Sequence, residues 1–401
     1  MLRDFSKVPS QAKILVVGTV FSQLGIGLVL TDLAYFLTSI RGLPATFSGL
    51  VFTVEGLTSV ALSLPLGVMS DRYGRKRFVL AGNIFVGVSI LLISLFSNEL
   101  IIVLAGAMAG ISEAAFTSST GALLAQYSNS ENRTAIFSLA ALAGNLAWGA
   151  GGFLLYLIEP LERIGLDPLS SHLILYISLA ASTFLSTLLL VRLNETKRDW
   201  KRTAGYGILS PATRKILIKY IGVNIFVAFG AGLVVPLMSQ WFAYKYGVPD
   251  SVSGPVLGVS NVLIAAASLA APAAARKLGV VRSIVLTETA STLFMFLTPL
   301  PSTFALSGTI YVIRAFLMNV SNPLSSSLIM GMVPDEERGA ASGISATFWR
   351  MPNAISTYPG AAMMRAGYLN LPFYIASALY VMSIALFWKW FKGSEEGKRD
   401  Y

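Results

Sequence analysis

Apolar residues fill this chain in blocks of about 20, separated by short stretches where charge, glycine and proline collect. A block of that length crosses roughly 30 Å of hydrocarbon as a helix, which satisfies its own peptide groups where water cannot. A membrane strand barrel would alternate apolar and polar residues instead. The pattern predicts twelve spans, beginning near residues 13, 46, 78, 100, 134, 170, 215, 250, 283, 304, 340 and 371. Six fall in each half. The first span follows Arg3, Lys7 and Lys13, exceeds a signal-peptide core in length and has no small-residue cleavage site after it, so it is expected to stay in the mature protein.

The two halves repeat at an offset of 205 residues. Gly25-Ile26-Gly27-Leu28 returns as Gly230-Ala231-Gly232-Leu233, Gly42-Leu43-Pro44 as Gly247-Val248-Pro249, and Ser48-Gly49 as Ser253-Gly254. Gly74, Arg77 and Arg133 find Gly279, Arg282 and Arg338. Glycine and proline mark backbone constraints, so matches of these types report a shared chain path rather than shared apolar character.

Composition agrees with the spans: 54% of the 401 residues are hydrophobic and 12% charged, where a soluble domain carries about a quarter. The net charge of +10 does not point to nucleic acid once its positions are read. With a cytoplasmic amino terminus, 24 of the 30 Lys and Arg lie at the termini or in the even-numbered loops. Arg41, Arg163, Lys245 and Arg365 lie on the other side, and two lie within spans. That bias orients the chain with both termini in the cytoplasm and favours contact with anionic lipid. The absence of cysteine, with His172 as the single histidine, leaves little room for thiol, disulfide or Cys/His metal chemistry, and neither a metal nor a cofactor is expected. His172, at the outer start of the sixth span, reads as a surface residue.

The most polar interior stretch, Arg192 to Lys219, reads as a cytoplasmic linker. The domain reading is accordingly 1–192 for the first six-helix bundle, 193–213 for the linker and 214–401 for the second bundle. Such a linker lets two bundles move against each other within one chain.

After the second span comes Gly67-Val68-Met69-Ser70-Asp71-Arg72-Tyr73-Gly74-Arg75-Lys76-Arg77. Gly67 permits close helix approach, Asp71 can accept from a helix amino terminus or an arginine, Gly74 makes the turn, and Arg72, Arg75 and Arg77 stay in the cytosol. This segment resembles the signature loop of the major facilitator superfamily, and Pro334-Asp335-Glu336-Glu337-Arg338-Gly339 is similar to a second segment of that family. The resemblance implies two pseudo-symmetric six-helix bundles around a cavity that opens alternately to either side. It also implies that the first, fourth, seventh and tenth spans line that cavity, and that the loop latches the outward-facing state. In the second copy Arg276 replaces Asp71 and Pro272 replaces Gly67. The family's usual fourth-span arginine is replaced by Gly106, and the fifth span carries Gly144, Gly149, Gly151 and Gly152 without the proline of its antiporters, a pattern that reads as packing.

A charge at mid-membrane costs at least about 2.5–3.5 kcal/mol, so it needs a partner, a wet cavity or a function. Six such charges occur: Asp32, Glu55, Glu113, Glu288, Arg314 and Arg350. Acids exceed bases by two, and an unpaired carboxylate in a low-dielectric site holds its proton more readily. Glu113, among small residues on a lining span, is the expected proton carrier, with Asp32 as a second; the alternative for Glu113 is an ion pair with Arg314 or Arg350. Asp32 is cavity-facing or interfacial, and Glu55 and Glu288 are packing or bridging residues. Arg314, Arg350, Asn319, Trp349 and Glu55 are expected at the substrate cavity. Asn319 and Pro323 make the tenth span bendable. Trp349 stacks on a ligand or forms an internal cation–π contact with Arg350, while Trp241 and Tyr244 read as interfacial aromatics.

No phosphate-binding Gly-Lys-Ser/Thr loop is present, so a gradient must drive uphill movement. The expected function is a monomeric, proton-coupled exporter of lipophilic or cationic small molecules in the plasma membrane, with the bilayer, the solute and the proton as its partners. The alternative within the class is a carrier of an anionic or amphipathic solute held by Arg314 and Arg350. A membrane enzyme or a non-transporting receptor is a remote alternative, because neither a catalytic constellation nor a soluble signalling domain is evident.

Overall fold

The computed structural model describes residues 8–129, 132–195, 209–334 and 337–393. Twelve long helices cross it: α1 (Ser10–Tyr35, continued by a π turn Phe36–Ile40), α2 (Ala45–Tyr73), α3 (Arg75–Leu95), α4 (Glu99–Gln126), α5 (Arg133–Leu154, continued through Leu155–Leu157 to Ile158–Arg163) and α6 (Pro168–Leu190) form the first half. The second half comprises α7 (Pro211–Val234, a tight turn Val235–Leu237, then Met238–Tyr246), α8 (Asp250–Leu278), α9 (Val280–Leu297), α10 (Phe304–Gly331), α11 (Arg338–Arg365) and α12 (Leu371–Phe391). Among the described residues, eleven of these contain a stretch long and apolar enough to span a bilayer. The twelfth, α11, is more polar because it carries Arg350, Asn353 and a run of Ser, Thr and Gly, of which Asn353, Ser356 and Thr357 are buried. Most of the linker proposed for 193–213 falls on residues 196–208, outside the described residues.

The 205-residue offset holds in three dimensions. Ala45–Tyr73 corresponds to Asp250–Leu278, Glu99–Gln126 to Phe304–Gly331, and the starts Arg75 and Arg133 to Val280 and Arg338. The turn glycines correspond too: Gly42 and Gly247 have φ +68° and +65°, and Gly74 and Gly279 have φ +105° and +84°. These are backbone conformations that side chains with a Cβ resist, which is why glycine recurs there.

Each half is wired alike. In the first, α1 packs on α5 and α6, α3 on α4 and α6, and α2 on α4; in the second, α7 packs on α11 and α12, α9 on α10 and α12, and α8 on α10. The halves meet through two crossings related by the same symmetry, α2 with α11 and α5 with α8. Small residues make these crossings close, since dispersion rather than water expulsion drives helix association in lipid. A methyl on Gly258 would lie 2.8 Å from the Gly149 carbonyl oxygen, and one on Gly56 would lie 2.4 Å from Ala354 Cβ. The fifth-span glycines therefore act by close packing: Gly149 and Gly152 face Gly258 of α8, while Gly151 faces Gly27 and Leu28 of α1.

Contacts between halves concentrate toward the face opposite the chain termini. Ser48 donates to Gln240 Oε1 (2.7 Å), Thr53 to the Ala354 carbonyl (2.8 Å) and Arg365 to Thr46 (3.2 Å). Further along α2, Leu64, Val68 and Met69 are exposed, so the halves part toward the terminal face. Gly258→Ala is expected to destabilise the protein by about 1–3 kcal/mol through overpacking against backbone. Gly121→Ala, where nothing lies within 4 Å, should leave stability unchanged or raise it by up to about 1 kcal/mol. Thermal midpoints of the two purified variants check the contrast.

Candidate functional site: a cavity between the halves

The parting halves enclose a cavity of about 1620 Å³. Its walls are mainly apolar, with Phe52, Leu64, Leu257, Ile264, Met318 and Phe348 among them. It reaches from Tyr380 and Arg314 at depth to Gly67, Glu337 and Gly339 at the terminal-face mouth. At that mouth Glu337 accepts from Ser210 N (3.0 Å) and Oγ (3.1 Å). Hydrogen bonds from Thr213 and then Ser210 hold its carboxyl below the usual carboxylate range, so it is charged at neutral pH.

Glu113, Glu55 and Arg350 come together in the wall. Arg350 Nη2 of α11 lies 2.7 Å from Glu113 Oε2 of α4 and 3.6 Å from Glu55 Oε1 of α2. One guanidinium thus ties the second half to two carboxylates of the first. Glu113 and Arg350 are 38% and 29% exposed, and both line the cavity. The pairing matches the ion-pair alternative for Glu113, and Arg350 Nε remains buried without a hydrogen-bond partner.

Arg314 is placed differently. It is 4% exposed and has no carboxylate within 4 Å among the described residues. Its Nη2 donates to the Tyr380 hydroxyl (2.7 Å), its guanidinium lies over the rings of Tyr380 (5.6 Å) and Tyr311 (6.0 Å), and its Nε has no partner. Of the two roles expected of Trp349, the internal cation–π contact with Arg350 is absent among the described residues, and it is Arg314 that makes such contacts because α10 and α12 bring two tyrosines to it; Trp349 is 41% exposed on the cavity wall. Asn319 also lines the cavity, donating to the Ala315 carbonyl and accepting from Asn322 Nδ2, each at 2.8 Å.

Three expectations are corrected by burial. Asp32 is fully buried outside the cavity lining, where Tyr176 donates to its Oδ2 at 2.9 Å. His172, read as a surface residue, is 1% exposed because α6 turns it inward against Asp250 and Asp32. Trp241 is fully buried rather than interfacial, packed on Phe373 and donating to the Leu369 carbonyl (2.8 Å). Sequence reading missed Asp250, since an acid following Pro249 at a helix start resembles a solvent-facing residue. It also missed Tyr311, Tyr380 and Tyr176, which no charge marks; Tyr311 stands one turn from Arg314 on the same helix, whereas Tyr380 beside Arg314 and Tyr176 beside Asp32 come from other helices and emerge only in the fold.

In the signature loop, Asp71 pairs with Arg75 at 2.6 Å. The amino terminus of α3 is held instead by Glu195, which accepts from Arg75 N (2.8 Å) and Lys76 N (3.0 Å). Arg72 lies over the Tyr73 ring (5.3 Å), Arg77 is exposed, and Gly74 makes the turn with positive φ. Gly67 is not needed for close packing here, because a methyl would meet Ser118 Cβ only at 3.8 Å; it lies at the cavity mouth.

Two symmetry-related helical bundles embedded in lipid around a central cavity open to one face define a membrane transporter. The chain belongs to the Major Facilitator Superfamily, whose profile matches residues 15–221 and 220–400. It is 24% identical over 349 residues to an uncharacterized MFS-type transporter of Methanocaldococcus jannaschii, covering 85% of this chain and 88% of that one. The fold resembles the nucleoside transporter NupG (TM-score 0.77, 11% identity, 96% of this chain and 100% of that one). It also resembles a bacterial homologue of the human lysosomal transporter Spinster in an inward-facing, occupied conformation (TM-score 0.74, 12% identity, 94% and 95% covered). The chain is a transporter and not an enzyme.

Arg350→Met should destabilise the protein by about 1–3 kcal/mol, between the values for exposed and fully buried pairs, by leaving two carboxylates facing each other. Arg314→Met should be neutral or stabilising, because it removes a buried cation with no acid partner and keeps the packing on Tyr380. Thermal unfolding of both variants at neutral pH distinguishes the two sites.

Proposed function

We propose that the chain is a proton-coupled carrier that loads lipophilic solutes bearing an acidic group from the cytoplasm and moves them by alternating access. The observation that carries the coupling is Arg350 bridging Glu113 and Glu55 across the halves. Protonating either carboxylate weakens the tie, so proton occupancy and the separation of the halves become linked. Apolar walls suit a lipophile, and Arg314, with an unpartnered Nε and no acid beside it, suits an anion.

The preference for cations read from a surplus of acids weakens because Asp32 and Glu288 lie outside the cavity lining. Among the intramembrane charges that leaves Glu55 and Glu113 balanced there by Arg314 and Arg350, while Glu337 at the mouth is held by Ser210. A lipophilic cation remains the second reading, favoured by the exposure of Glu113 to the cavity. The positive-inside bias supports cytoplasmic termini in a plasma membrane, with the cavity of this structure open to the cell interior. The six helices on either side of the linker act as moving units of a monomer, with the signature loop around Asp71 re-engaging when the mouth closes.

Liposomes with an imposed pH gradient and an internal pH dye test this. A lipophilic carboxylate should drive proton movement in the wild type, with at least about tenfold loss in Arg314→Gln and in Glu113→Gln. Proton movement driven only by a lipophilic cation would establish the second reading. No proton movement with either, alongside measurable solute flux, would overturn the coupling.

A further inference from the structure

A second cluster lies near the face opposite the chain termini, outside the cavity. His172 of α6, Asp32 of α1 and Asp250 at the start of α8 are 1%, 0% and 1% exposed, and one ligand-capable atom from each lies within 4.8 Å of the others. His172 Nε2 is 2.9 Å from Asp250 Oδ2 and 3.9 Å from Asp32 Oδ2.

The hydrogen bonds around the cluster define its needs. His172 Nδ1 lies 2.6 Å from the Pro168 carbonyl oxygen, which can only accept, so Nδ1 carries a hydrogen. In the neutral ring Nε2 then presents a lone pair to two carboxylates, and three acceptors converge. The Tyr176 hydroxyl donates to Asp32 Oδ2 at 2.9 Å, while Asp32 Oδ1 is buried with no hydrogen-bond partner. A proton on Nε2 would answer Asp250 and still leave one buried carboxylate charge without a cation. Burying such a charge is unfavourable unless something positive sits beside it.

We propose that His172, Asp32 and Asp250 form a binding site for a divalent transition-metal ion. Two carboxylates neutralise a divalent cation, and an imidazole beside them favours zinc, manganese or iron over the oxygen-seeking calcium and magnesium. An ion bonded at about 2.1 Å sets its ligands about 3.0–3.4 Å apart, so the His172–Asp250 spacing of 2.9 Å need open by only about 0.1 Å and the His172–Asp32 gap of 3.9 Å close by about 0.5 Å. The surroundings match the outer partners of metal sites. The Pro168 carbonyl fixes the tautomer that frees Nε2, and Tyr176 orients the Asp32 carboxylate.

Asp32 and His172 belong to the first half and Asp250 to the second, so the site is complete only while the halves are closed on this face. The ion enters as the halves part there and is trapped as they close. It acts as a clasp that holds the cavity open toward the terminal face and slows turnover. This role is independent of the solute and the proton coupling.

The test uses the full-length purified chain, with any affinity tag removed, incubated with Zn²⁺ or Mn²⁺ and desalted before metal analysis and thermal unfolding. About one retained ion per chain and a raised thermal midpoint are expected. Asp250→Asn and His172→Gln should each weaken retention at least about tenfold, with size-exclusion profiles like the wild type. Co²⁺ should give d–d absorption bands that both variants lose. Absence of retained ion in the wild type overturns the proposal whatever the variants do, and leaves a shared proton as the content of the cluster. Retention that the variants leave unchanged overturns it as well, by placing the ion elsewhere.

Discussion

Hydrocarbon satisfies neither a peptide group nor a charge, and that constraint organises this molecule. It makes every span a helix, draws the helices together through small residues, and sends each intramembrane charge to a place where protein answers it. The places available are few: the cavity between the halves, where Glu55, Glu113, Arg314 and Arg350 gather, the buried crossings on the opposite face, where Asp32 meets His172 and Asp250, and the packed interior of the second half, where Glu288 of α9 is buried.

The consequence is that electrostatics and conformational change share the same residues. The α2–α11 and α5–α8 crossings are glycine-lined and packed through backbone, which holds the halves together but does not by itself decide when they part. The Arg350 bridge adds a term that depends on protonation, because its two acids belong to one half and its base to the other. Arg314 lies wholly within the second half, held by Tyr311 and Tyr380, so its charge is available to a solute without disturbing the crossing.

Much of this was legible in the chain. The 205-residue repeat anticipates helix ends that correspond in the structure, because the glycines and prolines that mark it are the residues that fix turns. Glu113 and Arg350 stood out as charges in apolar runs, and each was assigned to the cavity. Their pairing was one of two choices for Glu113, since sequence spacing within one helix says nothing about which helix of the other half lies opposite. His172 and Trp241 were misjudged for a related reason: both sit at helix ends where hydropathy marks an interface, and only the inward turn of α6 and the packing of α7 on α12 bury them. Asp250 escaped because an acid at a helix start is ordinarily explained by the helix dipole.

The central claim is that protonation of Glu113 and Glu55 releases the inter-half tie at Arg350. Since the chain has no cysteine, a single pair introduced at Val68, exposed next to the cavity-lining Gly67, and at Gly343, exposed in the cavity lining, reports the separation of α2 and α11 by electron–electron double resonance. Acidification should shift the distribution toward shorter distances as the mouth closes. The combined Glu113→Gln and Glu55→Gln substitutions should produce that shift at neutral pH and abolish its pH dependence. A distribution that ignores both pH and the substitutions would contradict the account.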